Sequence, residues 1–126
     1  MHIDANRILV AAILLLVSGC GKEERMVSFR IDVQPILRLK CIECHSSPDG
    51  EGYVKTGLSM ATYEDLMRGT IYGPVVVRGD SQHSIFNMLV EGRADPSMRM
   101  PHERKPLSTK EIEILRLWVD QGAPDN

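Results

Sequence analysis

The chain has 126 residues, of which 43% are hydrophobic and 25% are charged, and its formal net charge at pH 7 is −2. This length predicts one small domain once any targeting segment has been removed. The near-neutral balance provides no basic surface of the kind that binds nucleic acid, so that class of partner is not expected.

The first 19 residues have the pattern of a signal peptide. A single basic residue, Arg7, precedes an apolar run over residues 8–17, and small residues follow before Cys20. A helix that crosses a bilayer needs roughly 20 apolar residues, so cleavage is favoured and a retained anchor helix is the alternative. We therefore predict that residues 1–19 are removed on export.

The segment from Val17 to Cys20 resembles the lipobox of bacterial lipoproteins, in which the cysteine is acylated and becomes the first residue of the mature chain. The resemblance implies a lipid on Cys20. The charged residues that follow, Lys22 to Arg25, predict a solvated tether over residues 20–28. A domain over residues 29–126 would then be held at a bacterial membrane, on the periplasmic side, by buried acyl chains.

Ordered structure is predicted to begin near Phe29, and a first helix follows. Apolar residues recur at helical spacing at Phe29, Val33, Ile36 and Leu37. Asp32 is predicted as its N-cap, which places Pro35 in the first turn, where the missing N–H does no harm. This helix leads directly into the most informative motif of the chain.

Cys41, Cys44 and His45 form a C-x-x-C-H motif, the pattern typical of covalent haem attachment. Two cysteines three residues apart fall on one side of a helical turn, where each can add to one vinyl group of a single porphyrin. The adjacent imidazole then lies beneath the iron. The motif predicts one haem c, covalent through Cys41 and Cys44, with His45 as the proximal ligand.

Other functions of a C-x-x-C pair make demands that this sequence does not meet. A structural zinc site needs further ligands at knuckle spacing, but no cysteine follows Cys44, and His83 and His102 are isolated. A thioredoxin-like pair is expected in a βαβ context, and no alternating strand pattern flanks the motif. With Cys20 acylated and the other two cysteines on haem, no thiol is left over.

The middle of the chain predicts short helices between irregular segments. Residues 46–57 are predicted as a loop because they contain Pro48, Gly50, Gly52 and Gly57. A second helix is predicted between the cap Thr62 and the stop signal Gly69. Residues 73–77 read as an extended connector, and no sheet is predicted.

Two further helices are predicted toward the end of the chain. One follows Asp80 or Ser81 and ends at Gly92, with a buried face formed by Ile85, Phe86, Leu89 and Val90. The other begins at the capping box of Ser108 and Glu111 and carries Trp118 as a core residue.

The second axial ligand is expected among the seven methionines or the remaining histidines. Met100 lies in an irregular segment before the last helix, and Pro101 stiffens that segment. Met98, His102 and Met60 stay open, because spacing alone does not separate them. A thioether ligand would give a higher potential than an imidazole.

These segments together resemble the planctomycete-type cytochrome c domain over nearly the whole mature chain. The matching pieces are Phe29 to Leu37, the C-x-x-C-H motif, Gly57-Leu58, Tyr63 to Leu66, Gly73 to Val77, Gly79-Asp80, Ser84, Met100-Pro101, Leu107-Ser108 and Trp118 to Ala123. The resemblance implies an all-α, cytochrome c-like fold, similar to class I cytochromes c, with about four helices around one haem and no substantial sheet. It also implies that the methionine of a Met-Pro-Pro motif, here Met100, is the distal ligand. The sequence departs from that motif at His102, where a second proline is usual.

We therefore expect an electron carrier rather than an enzyme. An iron with six ligands has no open position for a small-molecule substrate, so the expected partners are redox proteins. One alternative is a haem-based small-molecule binder or peroxidase-like enzyme, in which Met100 is displaced or absent. The other is an accessory cytochrome subunit of a larger dehydrogenase.

Overall fold

The computed structural model describes residues 24–126, so the predicted signal peptide and Cys20 lie outside the described residues. Within this range the fold consists of helices and irregular segments, with no β-strand. The α-helices are α1 (Gln34–Lys40), α2 (Glu51–Thr56), α3 (Tyr63–Arg68), α4 (Ile85–Val90) and α5 (Thr109–Asp120). A π-helical turn, Phe29–Val33, runs into α1, and a 3₁₀ turn, Pro96–Met98, lies between α4 and α5. The all-α prediction is confirmed.

The first helical segment is capped by Ser28, and the prediction that Asp32 is its N-cap is wrong. The Ser28 hydroxyl accepts a hydrogen bond from the Ile31 amide at 3.2 Å. The Asp32 carboxylate accepts one from the Ser28 amide at 2.8 Å and two from the Arg25 guanidinium. The two side chains thus accept hydrogen bonds reciprocally, Ser28 from an amide of the first turn and Asp32 from the amide of Ser28. The N-cap is Ser28, because the helical turn begins at the next residue.

Residues 46–57 contain a helix, α2, where the glycine and proline content predicted only an irregular loop. The helix includes Gly52 and ends at Gly57, whose φ is +74°. Its position is fixed from outside, because the Tyr53 amide donates to the Cys44 carbonyl at 3.0 Å. A tertiary contact thus outweighs the poor helix propensity of glycine.

Local capping signals predicted the start of two other helices correctly. The Thr62 hydroxyl accepts a hydrogen bond from the Asp65 amide at the start of α3, and Gly69 ends that helix. Ser108 and Glu111 form the predicted reciprocal capping box at the start of α5. Such signals succeed because both partners lie within one helical turn.

Helix α4 begins at Ile85, a few residues later than predicted, with Ser84 as its N-cap. Its buried face also differs from the prediction. Phe86 and Val90 are buried as expected, but the third buried residue is Asn87. Ile85 and Leu89 instead line a cavity. The apolar residues of this helix therefore contribute both to the core and to the cavity wall.

The core joins the first helical segment to the last helix. Trp118 is fully buried, and its ring centroid lies 5.6 Å from that of Phe29. Tyr63 of α3 meets Phe29 edge-on at 5.1 Å, and its hydroxyl donates to the Ala123 carbonyl at 2.7 Å. The prediction of Trp118 as a core residue is confirmed, and these contacts leave the cavity on another side of α1.

Asn126 fastens the end of the chain to the beginning of the domain. Its carbonyl accepts hydrogen bonds from the Arg30 amide at 3.0 Å and the Ser28 hydroxyl at 2.8 Å. Its side-chain amide accepts from the Phe29 amide and donates to the Val27 carbonyl. No helix within residues 24–126 is long and apolar enough to cross a membrane.

Candidate haem site

A cavity of about 850 Å³ opens beside the C-x-x-C-H motif. This volume falls in the range of roughly 300–1,000 Å³ that is typical of cofactor and small-molecule sites. The residues predicted for a haem site all line it: Cys41, Cys44, His45, Met60, Met98, Met100 and His102. Apolar side chains form much of the remaining wall, among them Leu58, Val75, Ile85, Phe86, Leu89 and Val90. The fold thus brings together residues that are spread over about half of the chain.

The C-x-x-C-H motif forms a turn that continues from α1. The Cys41 amide donates to the Leu37 carbonyl, and the Cys44 and His45 amides both donate to the Cys41 carbonyl, at 3.2 and 2.9 Å. Leu37 itself is fully buried in the core. The backbone therefore holds both thiols and the imidazole in a fixed relation to a well-packed helix, and both cysteines are free of disulfides.

The Cys41 thiol lacks the lowered pKa of a reactive redox cysteine. Burial raises its pKa to about 12, and the neighbouring Cys44 and Glu111 add to this rise. Reactive cysteines have a lowered pKa instead, because the thiolate is the reacting form. Within residues 24–126, moreover, no three Cys, His, Asp or Glu side chains come together in a group that could hold a metal ion. These observations argue against both a thioredoxin-like pair and a zinc site.

His45 lines the cavity. Its Nδ1 is buried, and no residue in the described part of the chain offers it a hydrogen bond of good geometry. Burial is the main cause that lowers the pKa of the His45 ring, and a polar contact with the Leu58 backbone, too poorly aligned to count as a hydrogen bond, partly offsets it. A neutral imidazole is the form that binds a metal. Since Nδ1 is enclosed by protein, Nε2 is the nitrogen that remains for a ligand in the cavity.

Helix α2 packs against the edge of the His45 ring through Gly52. A Cβ atom built at Gly52 would lie 2.6 Å from Cε1 and 2.9 Å from Nδ1 of the ring. No side chain fits at that position unless the ring moves. Sequence reasoning used Gly52 only as a loop signal and missed this role, although a glycine close after such a motif can mark a close approach.

The four candidate distal ligands occupy different environments. Met100 is half-buried against the core, and its amide donates to the Leu89 carbonyl at 3.2 Å. Met98 and His102 are both exposed. Met60 is buried, but its amide donates to the His45 carbonyl at 2.7 Å, which places it beside the histidine's own backbone. Met100 is thus the candidate held to the wall that α4 provides.

A salt bridge joins the haem-binding motif to the loop that carries Met100. Both terminal nitrogens of the Arg104 guanidinium donate to the Glu43 carboxylate, each at 2.7 Å. The hydrogen bonds from Arg104 are the main cause that lowers the pKa of Glu43. Sequence reasoning missed this bidentate contact, because its partners lie 61 positions apart.

An all-α fold around an apolar cavity lined by a C-x-x-C-H motif defines a cytochrome c-type protein. Residues 41–103, half of the chain, match the family described as Planctomycete cytochrome C. The chain belongs to this family. The match begins at the first cysteine of the motif and extends beyond Met100. No curated protein and no solved structure matches the chain.

Membership in a cytochrome c family implies a covalently bound haem c, and the residues of the site fit that group. The cavity has a suitable volume, its walls are largely apolar, and the cysteines are spaced for two thioether bonds. The glycine at position 52 leaves room for an imidazole in one orientation. The chain is therefore a haem-binding protein of the cytochrome c class.

Proposed function

We propose that this chain is a monohaem electron carrier. The observation that carries the proposal is the placement of the C-x-x-C-H motif and Met100 on the walls of one cavity. Cys41 and Cys44 would hold the haem through thioethers, and His45 would bind through Nε2. The sequence contains one such motif, which supports a single haem. The haem, when bound, supplies an iron that accepts and releases one electron at a time.

The residues of the chain would hold this centre in place and cover much of it with apolar side chains. The turn that follows α1 fixes the position of the His45 backbone, and the missing side chain at Gly52 leaves room for the ring. The side chains of Leu58, Val75 and Phe86 limit access of water, and a hydrophobic shell of this kind tunes the potential of a metal site. A centre that changes little in shape between two oxidation states suits a carrier.

We assign the distal ligand to Met100. Partial burial and the backbone contact to Leu89 hold Met100 at the cavity wall, whereas Met98 and His102 are exposed. The Met60 amide is tied to the His45 carbonyl, and this contact supports a place for Met60 beside the proximal histidine. The salt bridge between Glu43 and Arg104 supports the assignment, because it restrains the loop that follows Met100.

The test compares Met100→Ala with Met98→Ala, a matched change two residues away. We expect Met100→Ala to lower the midpoint potential and to abolish the weak far-red band of the ferric protein, because the thioether is lost. Met98→Ala should leave both unchanged. Unchanged properties in Met100→Ala would remove it from this role. Carbon monoxide binding to the native ferrous protein would favour the binder or peroxidase-like alternative instead.

We further propose that the chain is exported and anchored by a lipid on Cys20. The lipobox-like segment before Cys20 and the apolar run over residues 8–17 support this proposal. Intact-mass analysis of the protein purified from membranes should show a chain that starts at Cys20 and carries acyl groups. A mass that includes residues 1–19 would contradict it. Redox proteins at the same membrane are the proposed partners, and copurification of a dehydrogenase in mild detergent would identify an accessory-subunit role.

A further inference from the structure

An apolar stripe runs along the outer face of the first helical segment. Ile31 and Leu39 are 75% and 77% exposed, and Pro35 between them is exposed as well. Positions four residues apart lie on the same side of a helix, so the three side chains form one surface. Val33 and Leu37, on the opposite side, are fully buried. This helix is therefore apolar on both faces, and only one of them packs in the core.

Basic side chains border the stripe. Arg30 and Arg38 are both exposed, and neither donates a side-chain hydrogen bond to another described residue. The acidic residue within this segment, Asp32, is largely covered and is neutralised by Arg25 at 2.9 Å. Glu64 and Asp125 line the same surface pocket as Arg30, but neither forms a salt bridge with it. The stripe thus combines apolar groups with two arginines that form no salt bridge in the described part of the chain, the character of helices that lie in a membrane interface.

The tether enters the domain next to this stripe. Arg25, near the start of the described residues, contacts Asp32. Asp32 is the residue that follows Ile31, so the tether reaches the domain close to the Ile31 end of the stripe. Cys20 precedes Arg25 by five residues, which span at most about 18 Å when fully extended. A lipid on Cys20 would therefore keep the Ile31 end of the helix close to the membrane surface.

We propose that the stripe of Ile31, Pro35 and Leu39 lies against the lipid surface that anchors the chain. Arg30 and Arg38 would contact anionic headgroups there. This inference rests on the lipid anchor proposed above. The short tether favours a lipid surface over a protein partner, because it keeps the stripe beside the bilayer at all times. Docking would also fix the orientation of the haem motif, since Cys41 directly follows α1.

The experiment measures how deeply a nitroxide label at the stripe enters the bilayer. Ile31→Cys is labelled in the mature acylated holoprotein, with Val54→Cys on α2 as the matched control, because Val54 is 69% exposed and apolar. The protein is placed in vesicles that contain phosphatidylglycerol, and each collision rate is the difference between samples with and without the relaxation agent, so that relaxation by the iron cancels. We expect collisions with a water-soluble nickel chelate to fall by about twofold or more at position 31 relative to position 54, and collisions with oxygen to rise.

Three results would overturn the inference, and they are distinguishable. An intact mass without acyl groups would contradict the lipid anchor itself. An acylated protein with equal nickel collisions at both labels would leave the anchor standing and contradict docking. A fall in both oxygen and nickel collisions at position 31 would mean that protein, a second copy or a partner, covers the stripe. Pro35→Cys provides a second label position if Ile31→Cys does not give a native haem spectrum.

Discussion

The contact between Gly52 and His45 gives a prediction in which two physical effects oppose each other. Gly52→Ala adds a methyl carbon 2.6 Å from Cε1 of the His45 ring, where ordinary contact begins at 3.4 Å. The ring and the helix must therefore separate by the difference, about 0.8 Å. The added methyl carbon would also lie 3.0 Å from the Cys44 carbonyl oxygen. Backbone hydrogen bonds fix that oxygen, so the ring is the partner that moves.

The magnitudes decide the sign of the change in stability. Gly52 is the second residue of α2, where alanine gains at most the interior difference in helix propensity over glycine, about 1 kcal/mol. Overpacking of a well-packed site costs about 1–3 kcal/mol. We therefore expect Gly52→Ala to lower the free energy of unfolding by about 1 kcal/mol, which corresponds to a fall in melting temperature of about 4–8 °C for a domain of this size.

The assay combines thermal unfolding, followed by far-UV circular dichroism, with the absorption spectrum of the oxidised holoprotein. Displacement of the ring should shift part of the haem toward the high-spin form. Val54→Ala is the control, because it changes the same helix at an exposed position. A higher melting temperature in Gly52→Ala with an unchanged spectrum would refute the reasoning, since helix propensity would then have outweighed the contact.

Three further predictions concern the frame around the site. Ser108→Ala removes the N-cap of α5 and should cost about 1 kcal/mol in urea unfolding. Tyr63→Phe removes the hydrogen bond to the Ala123 carbonyl and should cost about 1 kcal/mol, with no change in potential. The hydrogen bond from the Ser108 amide is the main cause that lowers the pKa of Glu111 from its ordinary value of 4.5. Stability from this carboxylate is therefore complete above that value and is lost as the pH falls through the lowered pKa. Glu111→Gln should flatten the acid limb of a plot of stability against pH, and an unaltered acid limb would contradict this origin.

The parts of the fold that the sequence predicted are those whose causes are local. Thr62 and Ser108 lie within one turn of the amides that they cap, so their signals can be read along the chain. Helix α2 could not be predicted in this way. Its glycine is required by the His45 ring, and its start is fixed by the Cys44 carbonyl, both contacts between separate segments.

The candidate site shows the same division. The C-x-x-C-H motif and its chemistry follow from residue types and spacing, and the fold places Cys41, Cys44 and His45 on one cavity as expected. Spacing could not separate the distal candidates, because burial and backbone contacts distinguish Met100 from Met98. The link between Glu43 and Arg104 depends on the path of the chain around the cavity, so only the folded structure reveals it.

The attachment of Asn126 to residues 27–30 means that the domain is nearly a closed ring. Hydrogen bonds and an aromatic contact hold the first helical segment to α5 and the residues after it. These contacts are independent of the order in which the two segments occur in the chain. A circular permutant that joins these ends through a short linker should therefore fold to the same helices. New ends at the exposed turn around Gly92 would interrupt no helix. In such a permutant the haem site would keep its residues, and a tether or fusion partner would be attached after α4 instead of before the first helical segment.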